Sequence, residues 1–291
     1  MARTTVQVPT RVLVFGMARA EGTILASEVL PVAEACGQSP DQVRSCLRRI
    51  VAEGLFVRRG SGRNATFEAT EAGLAALGTT MERTRLAWAQ DAAGRGWDGQ
   101  WRLVGFAVPE RNRSARDAFR DRLRQLGGSA LQGGLYVSPH PWHKDVKAEA
   151  DRLGVAEAVT VATTHDLEVG GERDPRELAR RLWQLDDLAL RYQEFVDAFA
   201  AVPTQLSRMR EQRQRLGDET FLPLALSMAV AFQECFGGDP LLPPELLPRP
   251  WPGREARELV RTSRRQALAL RQAHGLPPLF RLFDEAIETL P

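Results

Sequence analysis

Six arginines, Arg44, Arg48, Arg49, Arg58, Arg59 and Arg63, fall between Pro40 and Asn64, where the only carboxylates are Asp41 and Glu53. That stretch carries more positive charge than the +2 of the whole 291-residue chain, so the charge is concentrated there. Guanidinium groups are planar, permanently charged donors that suit phosphate oxygens and the paired acceptors on the major-groove edge of guanine. The chemistry on offer is recognition of nucleic acid. Arginine count alone carries little weight, because Lys144 and Lys147 are the only lysines and the composition as a whole leans to arginine and alanine. Placement decides.

Other candidate chemistry is weaker. Gly60–Ala65, GSGRNA, matches the G-x-G-x-x-A form of a dinucleotide or phosphate loop. Such a loop needs a helix after the glycines, so that its N-terminus faces the phosphate, and the pattern here continues as a strand. The phosphate reading is rejected. His140 and His143 in HPWH have a chelating separation, but Pro141 lies between them and no cysteine or carboxylate cluster adjoins. No metal site is assigned. Asp186, Asp187, Glu194 and Asp197 read as the solvated face of a helix. No G-x-S-x-G, H-E-x-x-H or Walker A motif occurs, so neither a catalytic residue nor a cofactor is assigned.

The composition is that of a globular protein, with 43% hydrophobic and 26% charged residues, and the length allows two or three domains. Cys36, Cys46 and Cys235 are odd in number and scattered, which fits a reducing cytoplasm better than a disulfide framework. Val12–Ala18 is short and bracketed by Arg11 and Arg19, so it reads as a helix face and not as a signal peptide. Phe221–Phe232, interrupted by Pro223 and Ser227, is too short to cross a bilayer. A soluble cytoplasmic protein without membrane contact is expected.

The arginines depend on local structure for their display. TRVLVFGMAR reads as a compact helix and ILASEVLPVAEACG as a second, stopped by Gly37. Ser39 then caps a third helix, Pro40 takes its first position, and Gln42 completes a capping box. That helix runs from Pro40 to about Glu53 with Val43, Leu47, Ile50 and Val51 turned inward at helical spacing. Arg44, Ser45, Arg48 and Arg49 lie on the outward face. Gly54 ends the helix, and LFVRRGSGRNATFEAT follows as a hairpin with its tip at the glycines. Thr70 caps the next helix. Helix, helix, capped helix and hairpin is the winged helix-turn-helix layout, in which the third helix enters the major groove and the hairpin touches the flanking backbone. The candidate DNA contacts are Ser39, Arg44, Ser45, Arg48, Arg49, Arg58, Arg59 and Arg63.

The middle of the chain alternates short apolar runs with amphipathic stretches. A strand is expected at Trp101–Val108, a helix at Ser114–Leu126, two strands around Gly133–Gly134, a helix at Lys144–Leu153 and a strand at Ala158–Thr163. This order, β-α-β-β-α-β, is the ferredoxin-like arrangement. From Asp174 onward the pattern is helical, beginning with one long helix over about Pro175–Ala200. Its stripe of Leu178, Leu182, Leu185, Ala189, Tyr192, Val196 and Phe199 suits either a helical core or a dimer seam. Further helices are expected over Glu219–Phe236 and Arg254–His274. The segment GGDPLLPPELLPRPWPG between them is barred from helix by its prolines. The fold class is therefore an α+β multidomain chain, with a winged helix over residues 1–93, a ferredoxin-like domain over 97–170 and a helical domain over 174–291.

Taken together, several stretches resemble the PaaX-type transcriptional regulators of aromatic catabolism. VRSCLRRIVAEGLFVRRGSGRNATFEATEAGLAAL is similar to the family's recognition helix, wing and following helix. WDGQWRLV, GGLYVSP and LGVAEAVTV resemble parts of its central domain, and FGGDPLLPPELLPRPWPGREAR its C-terminal signature. The resemblance spans nearly the whole chain. It implies a central domain akin to the CRISPR-associated Cas2 fold and a dimeric repressor of double-stranded operator DNA, released by a small-molecule inducer. For the best-known members that inducer is phenylacetyl-coenzyme A, an aryl-acyl-CoA. The DNA-reading helix carries over onto Asp41–Glu53 and the wing onto Val57–Thr66. Inducer contacts do not carry over; Trp97, Trp101, Tyr136 and Trp142 are candidates for an apolar effector site, against the plainer role of core packing.

Two rival functions remain open at this stage. One is a metal-dependent nuclease, since nucleases of the Cas2 fold hold a metal with an acidic residue near the end of the first strand. Here RLVGFAVPE offers only Glu110, beyond Pro109. The other is an adaptor that binds protein through its helical half.

Overall fold

The computed structural model describes residues 9–272 and 275–288, the side chains of the last four excepted. The chain divides into two compact units. One holds Met1–Ala89, Tyr192–Phe236 and Gly253–Pro291; the other holds Gln90–Arg191 and Gly237–Pro252.

The first unit begins with α1 (Thr10–Gly16), β1 (Thr23–Leu25), α2 (Ala26–Ala35) and α3 (Pro40–Ala52). A hairpin of β2 (Phe56–Arg59) and β3 (Thr66–Ala69) follows, and then α4 (Glu71–Ala93). The sequence places Ile24 and Leu25 at the head of the second helix, but they form β1. This strand pairs antiparallel with β3, Ile24 opposite Phe67, and gives a three-stranded sheet of order β1-β3-β2. A three-residue strand has too little pattern to announce itself, and its partner lies more than forty residues away. Thr70 caps α4 as expected: its Oγ1 accepts from Gly73 N at 3.2 Å.

In the second unit, β4 (Trp101–Phe106), α5 (Arg113–Gln125), β5 (Ser129–Gln132), β6 (Leu135–Ser138), α6 (His143–Arg152) and β7 (Val159–Thr164) reproduce the β-α-β-β-α-β order. All pairings are antiparallel, in the order β5-β6-β4-β7. Phe119 and Leu123 of α5 and Val146 of α6 pack with Val104 and Tyr136 of the sheet. The turn between β5 and β6 needs glycine at Gly134, where φ is +76° and a Cβ would stand 2.6 Å from the Phe106 carbonyl oxygen.

The expected long helix over Pro175–Ala200 is two helices, α7 (Pro175–Leu182) and α8 (Leu185–Phe199). Gln184 breaks it at φ +49°. Trp183, beside the break, stacks on Trp101 and donates its indole N–H to the Gly127 carbonyl at 3.0 Å, so tertiary anchoring overrides the helical periodicity. Of the stripe, Leu178, Leu185, Tyr192 and Val196 are buried within the chain itself. The proline-rich Gly237–Trp251 stays non-helical apart from one 3-10 turn at Pro244–Leu246. Its polar groups meet the second unit: Glu245 accepts from Gly96 N at 2.9 Å, and the Pro240 carbonyl lies 3.0 Å from His140 Nε2.

The first unit is completed by α9 (Val202–Glu211), β8 (Leu216–Gly217), α10 (Asp218–Phe236), α11 (Pro252–Leu270), β9 (Arg271–Gln272) and α12 (Arg281–Glu288). The helix expected to reach His274 ends at Leu270, because Arg271 and Gln272 pair as a strand with Leu216 and Gly217; His274 itself lies outside the described residues. One hydrophobic cluster joins Leu13, Val14, Ile24, Val29, Ile50 and Phe56 to Leu206, Phe221, Leu226, Leu270 and Leu279. Polar contacts fasten the same seam. Phe280 N donates to the Gly16 carbonyl at 2.6 Å, and Glu28 accepts from Arg19 at 2.5 Å and from Arg281 at 2.6 Å.

Burial alone would raise the Glu28 pKa, but the hydrogen bonds and charges of Arg19 and Arg281 outweigh it and hold the carboxyl below its ordinary value. A carboxyl depressed in the folded state contributes stability above its unfolded pKa of about 4.3, and that stability is lost as pH falls through the folded value. Thermal unfolding followed against pH should therefore show the parent losing stability below about pH 4.3 more steeply than Glu28→Gln; parallel curves would remove this contact from the acid response. Two glycines of α4 offer a paired check. A Cβ on Gly73 would lie 2.0 Å from the Leu55 carbonyl oxygen, whereas one on Gly78 meets nothing within 4 Å. Denaturant midpoints should fall for Gly73→Ala by the equivalent of about 1–3 kcal/mol and rise for Gly78→Ala by up to about 1 kcal/mol.

Candidate nucleic-acid interface

The arginine-bearing helix α3 is fixed first at its N-terminus. Ser39 Oγ accepts from Gln42 N at 3.3 Å while Gln42 Oε1 accepts from Ser39 N at 2.8 Å, the capping box expected from the sequence. Ser39 is exposed, but its hydroxyl is occupied in starting the helix. The inward face buries Val43, Cys46, Leu47 and Ile50, with Val51 half-buried. That burial sets the rotation of the helix and leaves Arg44, Arg48 and Arg49 exposed, with Ser45 half-buried beside them. Beyond α3 the chain turns at Gly54, whose φ is +73°, and Leu55 N returns to the Ile50 carbonyl at 3.0 Å.

Next, the hairpin displays the second set. Arg58 stands opposite Phe67 and Arg59 opposite Thr66. Three residues at the tip, Gly62–Asn64, form a 3-10 turn that leads directly into β3, so no helix N-terminus faces the glycines. Arg58, Arg59 and Arg63 are all exposed.

Electrostatically the two sets differ in what already holds them. Arg44 pairs with Asp41 at 2.8 Å and Arg59 with Glu68 at 3.2 Å. Among the described residues, Arg48, Arg49, Arg58 and Arg63 have no such carboxylate partner, which leaves their guanidinium groups for phosphate or base. The cysteines offer no competing chemistry: burial pushes the Cys36 thiol up to about 11 and raises that of Cys46, so both stay protonated at neutral pH.

Sequence reasoning passed over Arg11, treating it only as the flank of an apolar run. On α1 its guanidinium lies over the Phe15 ring at 5.0 Å and pairs with Glu53, at the end of α3, at 2.7 Å. The ion pair joins residues forty-two positions apart, and no local spacing signals it. Arg11 also borders a cleft of about 300 Å³ that reaches Ser45 and Arg49.

The four aromatics considered for an effector site are largely engaged elsewhere. Trp97 packs tilted against Trp101, whose other neighbour is Trp183. Tyr136 stacks on Phe106, and the buried Trp142 presses on Gly128, where a Cβ would stand 2.3 Å from its ring. A cavity of about 420 Å³ in the first unit is lined by other aromatics, including Phe15, Trp88, Phe232 and Phe236. In the second unit His143 is held below the ordinary imidazole pKa by burial and by the charge of Arg102, and the Asp98 carboxyl below its own by the Arg102 hydrogen bond. Among the described residues, no three or more His, Cys, Asp or Glu side chains are grouped so as to hold a metal ion, and no helix is long and apolar enough to cross a membrane.

Comparison with known proteins adds an independent line. Residues 94–179 match the family model described as the PaaX protein central Cas2-like domain, and residues 183–275 match the PaaX-like protein C-terminal domain. The transcriptional repressor PaaX of Escherichia coli (strain K12) is 25% identical over 238 residues, which cover 82% of this chain and 72% of that protein. A solved structure, the uncharacterized protein Rv0674 from Mycobacterium tuberculosis, is similar with a TM-score of 0.52 over 89% of this chain and 95% of that one; at 21% identity the likeness is one of fold. With two consecutive family models matched over most of its length, the chain belongs to the PaaX family.

Proposed function

We propose that this chain is a DNA-binding transcriptional repressor whose residues 9–93 act as a winged helix. The observation that carries the reading is the pair of exposed arginine sets on α3 and on the β2–β3 hairpin, four of whose members lack a carboxylate partner among the described residues. Membership of the PaaX family supports it, as does a relative named as a transcriptional repressor.

In this reading Arg44, Ser45, Arg48 and Arg49 face base edges in the major groove, and Arg58, Arg59 and Arg63 hold phosphates or reach into the minor groove. Ser39 keeps α3 in register by its cap. The protein acts in the cytoplasm as a homodimer, so its operator is palindromic, with half-sites spaced by turns of the duplex. The three parts divide the labour: residues 1–93 bind DNA, and 97–170 and 174–291 carry the dimer and the response to an inducer. The family resemblance points to an aryl-acyl-coenzyme A as that inducer. No catalytic step is assigned, and Glu110, the acidic residue nearest the first strand of the second unit, is engaged by Arg116 at 2.6 Å.

Gel-shift titration over a salt series, with duplexes selected from a random pool and magnesium present, tests the proposal. Shifted, intact DNA is expected. Arg63→Ala should weaken binding to every duplex and shallow the log–log salt slope by about one. Arg48→Ala should instead relax the preference at one base position by about 1–3 kcal/mol. Cut DNA would favour the nuclease, and binding without salt dependence would sink the assignment of these arginines.

A further inference from the structure

The cavity of about 420 Å³ in the first unit lies within the range of small-molecule sites, about 300–1,000 Å³. Its walls come from α1, α4, α10 and α11 together with Phe280 and the start of α12. Most of the lining is apolar, with Phe15, Trp88, Phe221, Phe232, Phe236 and Phe280 supplying the rings. An apolar wall alone identifies no occupant.

Three polar atoms of the same lining narrow the choice. Trp88 Nε1, Ser263 Oγ and Arg264 Nη1 are buried and have no hydrogen-bond partner among the described residues, and Ser263 as a whole is only 2% exposed. Native structures leave few buried polar atoms unsatisfied, so three around one cavity are anomalous unless something else meets them. Indole and guanidinium N–H groups donate only, and a hydroxyl can join them as a donor. The missing group is therefore an acceptor, not an amine. The other Arg264 nitrogens are already taken: Nε and Nη2 by Asp284, at 2.8 and 2.7 Å, and Nη2 also by the Leu279 carbonyl at 2.5 Å. One further acceptor is what this guanidinium lacks.

We propose that this cavity is the effector site, and that it takes a small molecule with an aromatic or other apolar body and one carbonyl or carboxylate end directed at Ser263 and Arg264. The inference rests on the repressor reading above and adds the place and the chemistry of its control. It also supplies a route. Phe15 and Gly16 put α1 in the cavity wall, and Arg11, which lines the same cavity, is tied to Glu53 at the end of α3. An occupant that shifts α1 shifts the DNA-reading helix with it. Coupling of this kind is reciprocal: effector weakens DNA binding by the factor by which DNA weakens effector binding.

The test uses the full chain and a panel of arylalkanoic acids from benzoic to 4-phenylbutyric acid, with the matching methyl esters and arylalkylamines. Binding is read from Trp88 fluorescence, with Trp88→Phe as the control, and from calorimetry. Acids or esters should bind and amines should not; acids alone identify a carboxylate subsite, and acids with esters a carbonyl subsite. Ser263→Ala should keep the parent melting temperature, since it removes an unpartnered hydroxyl, yet weaken binding about tenfold. Ala229→Phe, which fills the cavity, should abolish binding. The binding compound should weaken operator binding in the parent and not in Ala229→Phe. Equal binding of amines, no binding by any member of the panel, or unchanged affinity in Ser263→Ala would overturn the proposal. Operator binding measured without any of these compounds tests the repressor reading separately.

Discussion

The first unit depends on one shared core. Residues from the first ninety positions and residues beyond position 200 bury their apolar side chains in a single cluster, so neither set has a complete interior of its own. Glu28 shows the same dependence in polar form, since one of the two arginines that satisfy it, Arg281, lies 253 residues later in the chain. The burial of Val43, Leu47 and Ile50 fixes how α3 is rotated, and that rotation decides which arginines reach solvent. The display of charge on α3 is thus set by its packing against α1, α2 and β2, and α1 and α2 in turn rest on α10.

The second unit is built on the opposite plan. Its six main elements follow one another in sequence order, and each antiparallel pair forms within about sixty residues. The proline-rich Gly237–Pro252 is the exception, returning late in the chain to offer the Glu245 carboxylate to the amides of Gly96 and Trp97. The same prolines that forbid a helix leave its carbonyls to meet side chains such as His140 and Gln90.

Much of the fold was legible in the sequence wherever the physics is local. The cap at Ser39, the stop at Gly54 and the strand that follows Gly60–Ala65 are decided by neighbours within a few residues, and so were the exposed faces of Arg44, Arg48 and Arg49. Distant partners defeated the reading. Thr23–Leu25 is a strand only because β3 is there to pair with it, Arg271–Gln272 only because of Leu216–Gly217, and the helix breaks at Gln184 beside a tryptophan held by a stack across the second unit. The 420 Å³ cavity was invisible for the same reason: no single segment of sequence contains its walls. The aromatics considered from sequence, for which core packing was the plainer role, were those whose neighbours in the chain made them conspicuous.

The split core also orders events in time. During synthesis Leu13 and Ile24 leave the ribosome long before Phe221 or Leu279, so their apolar faces must wait through the making of nearly two hundred residues. A chain stalled in that interval leaves α1 and α2 without α10, their later partner in the cluster. Splitting the core therefore exposes the nascent first unit to misassembly until the later helices arrive.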